Sequence, residues 1–295
     1  MKAWIKLLRP KDWAKNLFIF IPLFFSGQFF KDDYMLPLLA GFICFSLVSS
    51  SIYIFNDYRD IEDDRIHPIK KDRPLASGAI PVSMALFVSV LLMIAGLTGA
   101  WFIRDKFLFV LGLYAMLNLA YSLGLKNIPI LDIVIISIGF VLRIKAGSVI
   151  ARIGLSEWLI IMVFLLALFM AFAKRRDDVM LEKASGKMMR KSASGYNLEF
   201  INVATAVICA VMIVSYFMYT MSPEVKHRLG TYRIYYTTLF VIMGLLRYLQ
   251  LIYVHRDSQS PVKILYKDRF IQACILLWIF CFYVILYVKD FNLFN

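Results

Sequence analysis

Long apolar runs recur along the whole of this sequence, and only short charged stretches separate them. A run of about 20 apolar residues can cross the hydrocarbon core of a bilayer as an α-helix. Hydrophobic residues make up 61% of the chain and charged residues 18%, whereas a soluble domain is about half apolar and about a quarter charged. We therefore predict an all-α integral membrane protein, because lipid offers no partner to an unpaired backbone group.

Nine segments are predicted to be transmembrane helices. They are residues 17–30, 35–55, 80–102, 107–123, 129–150, 156–173, 199–221, 232–253 and 270–288. No Pro-, Gly- or Ser-rich linker divides them, so residues 1–295 are predicted to form a single domain. Most of the 33 Lys and Arg residues lie on the side of the amino terminus. This bias predicts a multi-pass protein of the cell membrane with its amino terminus in the cytoplasm and its carboxyl terminus outside.

The net charge of +13 does not indicate nucleic-acid binding, because the basic residues fall between apolar runs. There they set the topology and meet anionic lipid headgroups. The 4 cysteines all lie inside apolar runs and form no CxxC pair, which argues against both a disulfide framework and a zinc site.

An acidic motif of the form NDxxDxxxD follows the second predicted span. It consists of Asn56, Asp57, Asp60 and Asp64. The three aspartates have the spacing i, i+3, i+7 and would share one helical face, with Asn56 beside Asp60 at i+4. Carboxylates this close repel one another, and Mg²⁺ favours carboxylate and phosphate oxygens. The pattern predicts a magnesium site; the alternative is a solvated acidic loop.

Basic residues come directly after the acidic motif, at Arg65, Lys71 and Arg73. A metal held by carboxylates beside Arg and Lys suits a diphosphate leaving group, whose developing charge needs both. The alternative is that these residues only set the membrane topology.

A second charged stretch, predicted as a loop, follows the sixth span. It contains Lys174, Arg175, Arg176 and Asp178. Because the cations come first, this stretch is predicted to bind an anion rather than a second metal.

Ionisable residues also occur at membrane depth in the fifth predicted span. Asp132 and Arg143 are three helical turns apart and should share a face directed into the bundle, whereas Lys145 lies on nearly the opposite face. Such residues are functional candidates; a structural ion pair is the alternative for Arg143. Tyr121 and Lys126 end the fourth span on the predicted cytosolic side.

This arrangement resembles the UbiA superfamily of intramembrane prenyltransferases over nearly the whole chain. Several stretches further resemble its decaprenyl-phosphate phosphoribosyltransferase branch. They are LRPKDWAKNLFIFIPLFFSG (8–27), DRIHPIKKDRPLASG (64–78), YSLGLKNIPILD (121–132), GFVLRIKAG (139–147), KRRDD (174–178), LRY (246–248) and LYKDR (265–269). One departure is Asp178, where that branch often has Glu. Members with aromatic acceptors instead carry a second DxxxD motif, for which this chain offers only Asp178 with Glu182.

The resemblance implies a UbiA-type bundle that transfers 5-phosphoribosyl from 5-phosphoribosyl 1-diphosphate (PRPP) to a polyprenyl phosphate. On this hypothesis the motif residues Asn56, Asp57, Asp60 and Asp64 hold one or two Mg²⁺ ions on the diphosphate. Its remaining oxygens would be bound by Arg65, Lys71 and Arg73. The 5-phosphate or the lipid phosphate would be bound by Lys15, Lys126, Lys174, Arg175 and Arg176. The substrate-binding set is completed by Tyr121, Asp132, Arg143 and Asp178.

Two alternatives remain open from the sequence. An ordinary UbiA-type enzyme would move a prenyl group from its diphosphate to an aromatic or quinone-precursor acceptor, and the cationic KRRDD stretch argues against it. A transporter would show broken helices in matched halves near the midplane, and the charge here lies mainly outside the apolar runs.

Overall fold

The computed structural model describes residues 2–26, 32–66, 70–185, 195–254, 264 and 267–288. Within these ranges all regular structure is helical, as the sequence predicts. The chain divides into two compact units, Met1–Leu155 and Ser156–Asn295.

The described residues of the first unit form seven α-helices, numbered here in chain order. They are α1 (Lys2–Leu8), α2 (Ile21–Phe25), α3 (Asp32–Arg59), α4 (Ile61–Ile66), α5 (Val82–Ile103), α6 (Asp105–Leu123) and α7 (Leu131–Ala151). Three 3-10 helices join them: Pro10–Phe20, Lys70–Asp72 and Leu125–Asn127.

The second unit contains five described α-helices. They are α8 (Glu157–Ser185), α9 (Leu198–Met221), α10 (Pro223–Leu229), α11 (Thr238–Tyr253) and α12 (Arg269–Tyr287). A 3-10 helix, Arg233–Thr237, leads directly into α11.

Seven helices of the described chain are long and apolar enough to cross a membrane. They are Asp33–Arg59, Val82–Ile103, Asp105–Leu123, Leu131–Ala151, Glu157–Met180, Leu198–Met221 and Arg233–Tyr253. Each coincides with a predicted span, and α12 coincides with the ninth. The protein is therefore a multi-pass membrane protein.

The first predicted span, 17–30, is wrong as a single α-helix. An eleven-residue 3-10 helix, Pro10–Phe20, leads into the short α2, and residues 27–30 lie outside the described part of the chain. Polar side chains tie this 3-10 helix to α3: Trp13 Nε1 donates to Ser50 Oγ (2.9 Å), and Asn16 Nδ2 donates to Ser46 Oγ (3.0 Å). Hydrogen bonds of this kind supply specificity between helices in a bundle that has no water to drive its assembly.

The core of the first unit lies between α3, α5, α6 and α7. Ser51 of α3 and Ser89 of α5 join their hydroxyls at 3.0 Å, and each hydroxyl also bonds the other residue's carbonyl. The small Gly96 of α5 lies against α3 so closely that an added Cβ would be 2.8 Å from the Cys44 carbonyl oxygen. Small and hydroxyl side chains thus let these two helices approach each other along the face beneath the acidic motif.

The second charged stretch is not the predicted loop. Helix α8 continues through KRRDD to Ser185. The physical reason is that these charges are accommodated on a helix: Arg175 is buried and donates to Asp178 three residues later, at 2.5 Å. Charge alone therefore did not mark the end of the helix.

Candidate functional site

The acidic motif lies where α3 ends and α4 begins. Asn56 and Asp57 belong to the last turn of α3, Asp60 forms the turn, and Asp64 is in α4. The helical spacing persists through the turn, because Asp60 N donates to Asn56 O (3.0 Å) and Asp64 N donates to Asp60 O (2.8 Å). Asp57 and Asp64 thus keep the shared face that the sequence spacing predicts, whereas Asp60 contacts a different set of side chains.

One arginine joins two of the three aspartates. Arg73 Nη1 donates to Asp57 Oδ1 at 3.0 Å and to Asp64 Oδ2 at 2.6 Å. Both aspartates are only 2% exposed. Two buried carboxylates on one face would repel strongly, so the shared guanidinium offsets a charge that water cannot screen.

A second arginine, Arg9, reaches Asp57 from the amino-terminal segment, with 2.5 Å between Nη2 and Oδ1. Its backbone is left-handed, with φ 52°, although it precedes Pro10 and carries a bulky side chain, a combination that normally favours extended backbone. The guanidinium also lies 5.2 Å from the centre of the Tyr53 ring. Sequence reasoning missed Arg9; the only signal was its position in the LRPKDW stretch.

The third aspartate, Asp60, belongs to a separate cluster with Asn56 and Lys126. Asn56 Nδ2 donates to Asp60 Oδ2 at 3.1 Å. Lys126 Nζ donates to Asp60 Oδ1 and, at 3.3 Å, to Asn56 Oδ1. Lys126 lies on the 3-10 turn before α7, and Ile130, which immediately precedes α7, has the unusual φ of 68° for a β-branched residue. The structure therefore brings Lys126 to the acidic motif, whereas the sequence analysis predicted it as a ligand of the 5-phosphate or the lipid phosphate.

The oxygen donors of the motif suit Mg²⁺ chemically. They occur as two pairs, Asp57 with Asp64 and Asp60 with Asn56, and Mg²⁺ is typically held by one or two carboxylates together with substrate phosphates. Among the described residues, no group of three or more His, Cys, Asp or Glu side chains is placed to hold one metal ion. The donor set therefore fits a metal shared with a phosphate ligand rather than an all-protein cage.

Two predicted diphosphate ligands lie apart from these ion pairs. Arg65 is exposed and pairs with Glu62 at 2.9 Å, and Lys71 is exposed on the Lys70–Asp72 turn.

Lys15, a predicted ligand of the 5-phosphate or the lipid phosphate, pairs with Asp12 at 2.7 Å, and its ammonium lies 5.8 Å from the centre of the Tyr53 ring. Tyr53 is thus flanked by Lys15 and by Arg9.

Arg143 lies buried in α7, inside the bundle, as its position in the sequence predicts. Its Nε donates to Asn16 Oδ1 (2.9 Å), Nη1 to Gly139 O (2.8 Å) and Nη2 to the Tyr114 hydroxyl (2.9 Å). The rings of Phe45, Tyr114 and Phe140 have their centres 4.8–5.3 Å from its guanidinium carbon. No acidic side chain is among its partners in the described residues, so hydrogen bonds and cation–π contacts stabilise this charge.

The other candidates of the first unit differ in exposure. Asp132 is fully buried in the first turn of α7, Tyr121 is half-buried near the end of α6, and Lys145 is exposed on α7. The exposure of Lys145 agrees with its predicted position opposite Arg143.

The candidates of the second unit all lie on α8. Lys174 is exposed, Arg175 is fully buried and paired with Asp178, and Arg176 is buried. Arg176 Nη2 donates to Ile252 O of α11 at 3.2 Å.

Comparison with known proteins places this geometry in context. The sequence profile of the UbiA prenyltransferase family matches residues 17–272. The decaprenyl-phosphate phosphoribosyltransferase of Mycolicibacterium smegmatis is 34% identical over 288 residues, which cover 93% of this chain and 89% of that protein. The Corynebacterium glutamicum protein of the same name is 31% identical, covering 96% and 86%.

Solved structures share the fold. A UbiA homologue from Archaeoglobus fulgidus, bound to DMAPP and Mg²⁺, superposes with a TM-score of 0.73 at 19% identity and covers 97% of this chain and 99% of its own. A digeranylgeranylglyceryl phosphate synthase structure superposes with a TM-score of 0.68 at 20% identity, covering 96% and 97%.

Proposed function

The chain belongs to the UbiA prenyltransferase family, and from this premise we propose that it transfers the 5-phosphoribosyl group of PRPP to a polyprenyl phosphate. The reaction would form a bond between a lipid phosphate oxygen and the anomeric carbon of the ribose, and diphosphate would leave with the electron pair of the broken bond. The active site would face the cytosol, where PRPP is available.

The observation that carries the proposal is the alternation of charge at the acidic motif. Two pairs of oxygen donors each share a basic side chain, Arg73 for Asp57 and Asp64, and Lys126 for Asp60 and Asn56. A diphosphate carries its charge on several oxygens, so it is best held by cations spaced between carboxylates that bind its metal.

In this proposal the motif residues hold Mg²⁺, which supplies positive charge to the departing diphosphate. The basic side chains would donate hydrogen bonds to diphosphate oxygens that lie away from the carboxylates. Arg73 and Lys126 are already directed at the motif, and Arg9 would keep the Asp57 carboxylate in a fixed orientation. Catalysis would then depend on positioning and on charge stabilisation as the anomeric carbon becomes oxocarbenium-like.

The nucleophile requires no strong general base. The second pKa of a phosphate monoester is about 6, so the acceptor is already largely dianionic at pH 7. The reacting lipid oxygen only needs to be positioned beside the sugar.

The choice of PRPP over a prenyl diphosphate rests on the relatives and on α8. The curated relatives that match nearly the whole chain are named for phosphoribosyl transfer to decaprenyl phosphate. In α8, three cations precede the acidic residues, a composition suited to a second phosphate group rather than to a second metal.

The Asp60→Asn variant tests the proposal in purified enzyme supplied with Mg²⁺, PRPP and a polyprenyl phosphate. Wild type should yield phosphoribosyl lipid, detected by mass spectrometry, and EDTA should abolish it. Asp60→Asn should lower kcat/KM for PRPP about 100-fold or more, because it removes a carboxylate that helps to hold the metal. Asp63→Asn is the matched control, since Asp63 is exposed in the same stretch and should be dispensable.

The outcomes separate the two UbiA chemistries. Product only from a prenyl diphosphate and an aromatic acid would replace the phosphoribosyl proposal with ordinary prenyl transfer. Full activity of Asp60→Asn at subsaturating PRPP would refute the metal role of the motif while leaving the reaction itself in place.

A further inference from the structure

The second unit contains an apolar groove of about 200 Å³ between α8, α11 and α12. Phe169 of α8 and Tyr248 of α11 line it with their rings tilted by 58° and their ring centres 4.7 Å apart, and Trp278 of α12 forms another part of its wall. Gly244 of α11 also lines the groove, and a Cβ added there would be in ordinary van der Waals contact, 3.8 Å from Cβ of Cys274. Such a surface fits a hydrocarbon chain and offers almost nothing to a polar ligand.

A buried cation lies beyond one end of this groove. Arg176 follows Phe169 by seven residues, two helical turns, and so lies on the same face of α8 at a distance of about 10 Å along the axis. Its bonded partner, the carbonyl of Ile252, is one turn beyond Tyr248 on α11. The apolar wall and the guanidinium therefore form one continuous strip along two neighbouring helices.

The guanidinium of Arg176 is incompletely satisfied. The residue is only 9% exposed, and its Nε has no hydrogen-bond partner among the described residues. The neighbouring Arg175, by contrast, is paired with Asp178. An unpaired buried charge is costly, and an arginine that presents Nε together with an Nη nitrogen matches the two oxygens of a phosphate.

We propose that the groove of α8, α11 and α12 binds the isoprenoid chain of the acceptor and that Arg176 binds its phosphate. The inference rests on the proposed function, in that the acceptor is a lipid phosphate. It assigns the acceptor to α8 and leaves Arg73 and Lys126 to the diphosphate of the donor. The guanidinium complements a phosphate, and the apolar lining selects a phosphorylated lipid over the soluble sugar.

Gly244→Phe tests the apolar part, because a phenyl ring on α11 would fill the groove. With a long-chain polyprenyl phosphate as acceptor, its KM should rise at least tenfold while KM for PRPP stays unchanged. With geranyl phosphate, whose chain is short, the effect should be much smaller. Gly112→Phe is the matched control: Gly112 is a helical glycine of α6 with open space around it, so the same substitution there should leave both KM values unchanged.

Arg176→Gln tests the phosphate contact. KM should rise for both the long and the short acceptor, since both carry the phosphate, and Arg176→Lys should restore part of the affinity. Equal KM values for wild type and Arg176→Gln would overturn the assignment of Arg176.

Photolabelling of the wild-type enzyme tests the lipid site even if the variants fail to fold. Wild-type enzyme labelled with a diazirine-bearing isoprenyl phosphate should be modified on α8, α11 or α12, and excess polyprenyl phosphate should suppress the label. Labelling confined to other helices would overturn the inference even if phosphoribosyl lipid is formed. Labelling in the groove without any phosphoribosyl product would instead refute the proposed reaction and retain the lipid site.

Discussion

Arg9 shows how one strained residue can determine the geometry of a charged cluster. Its left-handed backbone, φ 52°, directs the side chain from the amino-terminal segment to Asp57, which also accepts from Arg73. Unusual backbone of this kind persists only where the surrounding contacts hold it in place, and it is found preferentially at functional sites. We therefore assign Arg9 to the orientation of Asp57.

Replacing Arg9 by Gly should separate its contact with Asp57 from its backbone strain. Glycine adopts positive φ without strain, so the loss comes from the charged hydrogen bond to the buried carboxylate, worth about 1.5–3 kcal/mol. We expect a lower thermal midpoint and, at a temperature where the variant is folded, a kcat/KM for PRPP roughly 10- to 150-fold below that of wild type. Lys11→Ala, at an exposed neighbour, is the control; equal activity of Arg9→Gly and wild type would exclude the orienting role.

At the residue scale, the helical spacing in the sequence predicted which motif side chains share a face, but it did not predict the tertiary contacts of those side chains. The spacing of Asp57 and Asp64 predicted a shared face, and Arg73 does bridge them. Nothing local indicated that Arg9 would approach them, because the backbone conformation that directs Arg9 depends on where the Pro10–Phe20 helix packs. The hydrogen bonds that hold Arg143 come equally from distant parts of the chain, at Asn16 and Tyr114.

Among the elements, the Pro10–Phe20 helix is fixed by direct backbone contact with α7. A Cβ added to Gly147 would lie 1.8 Å from the Ile19 carbonyl oxygen, far inside van der Waals contact. This approach requires glycine, since any side chain would displace the segment that carries Arg9 and Asn16. Sequence patterns predicted neither the 3-10 geometry nor this contact, because a glycine inside an apolar run is compatible with many packings.

Gly147→Ala should therefore destabilise the protein even though alanine favours helix. Overpacking of this kind costs about 1–3 kcal/mol, and we expect a lower thermal midpoint in detergent. Gly112→Ala in α6, where open space surrounds the glycine, should not lower it. If the two variants have the same midpoint, α7 does not contact the 3-10 helix in this way.

Helix α12 begins with an ion pair that makes its stability depend on pH. Asp268 accepts from Ile271 N at the amino end of α12, and Arg247 of α11 donates to its carboxylate at 2.8 and 3.1 Å. These hydrogen bonds from Arg247 hold the pKa of Asp268 below its ordinary value. A lowered pKa in the folded state means that the pair stabilises the protein above the unfolded pKa, about 4, and that this contribution is lost as pH falls through the folded value.

Asp268→Asn should accordingly lower the thermal midpoint at pH 7, and the difference from wild type should narrow below about pH 4. Thermal scans of both proteins from pH 3 to pH 7 would measure this. A difference that does not change over that range would show that the carboxylate charge contributes nothing, because asparagine keeps an oxygen that can cap the helix.

For the whole molecule, the number of crossings decides on which sides of the membrane the termini lie. Where the structure describes the chain, seven helices satisfy the length and apolarity of a span, and α12 is an eighth apolar helix. The sequence predicted these elements well because the bilayer imposes one length and one composition on each. The boundary between the two units, after Leu155 and before Ser156, could not be predicted in this way, because no linker composition marks it in the sequence.

The ninth crossing depends on residues 10–25, which are too few to span the bilayer as an α-helix. A 3-10 helix rises about 2.0 Å per residue rather than 1.5 Å. The eleven residues of Pro10–Phe20 and the five of Ile21–Phe25 therefore reach together about 30 Å, the thickness of the hydrocarbon core. We therefore propose that this short segment crosses the membrane, which would give nine crossings and place the two termini on opposite sides.

Reporter fusions in bacterial cells test this count. Alkaline phosphatase fused after Asn295 should be active and green fluorescent protein at the same point dark, because the carboxyl terminus is expected outside. Fusions within the turn at Gly124–Asn127, which carries Lys126, should give the reverse pattern and serve as the control for a cytosolic position. A fluorescent carboxyl-terminal fusion would mean eight crossings, with residues 10–25 entering the membrane and returning on the same side; the acidic motif and Lys126 would still share one face of the membrane.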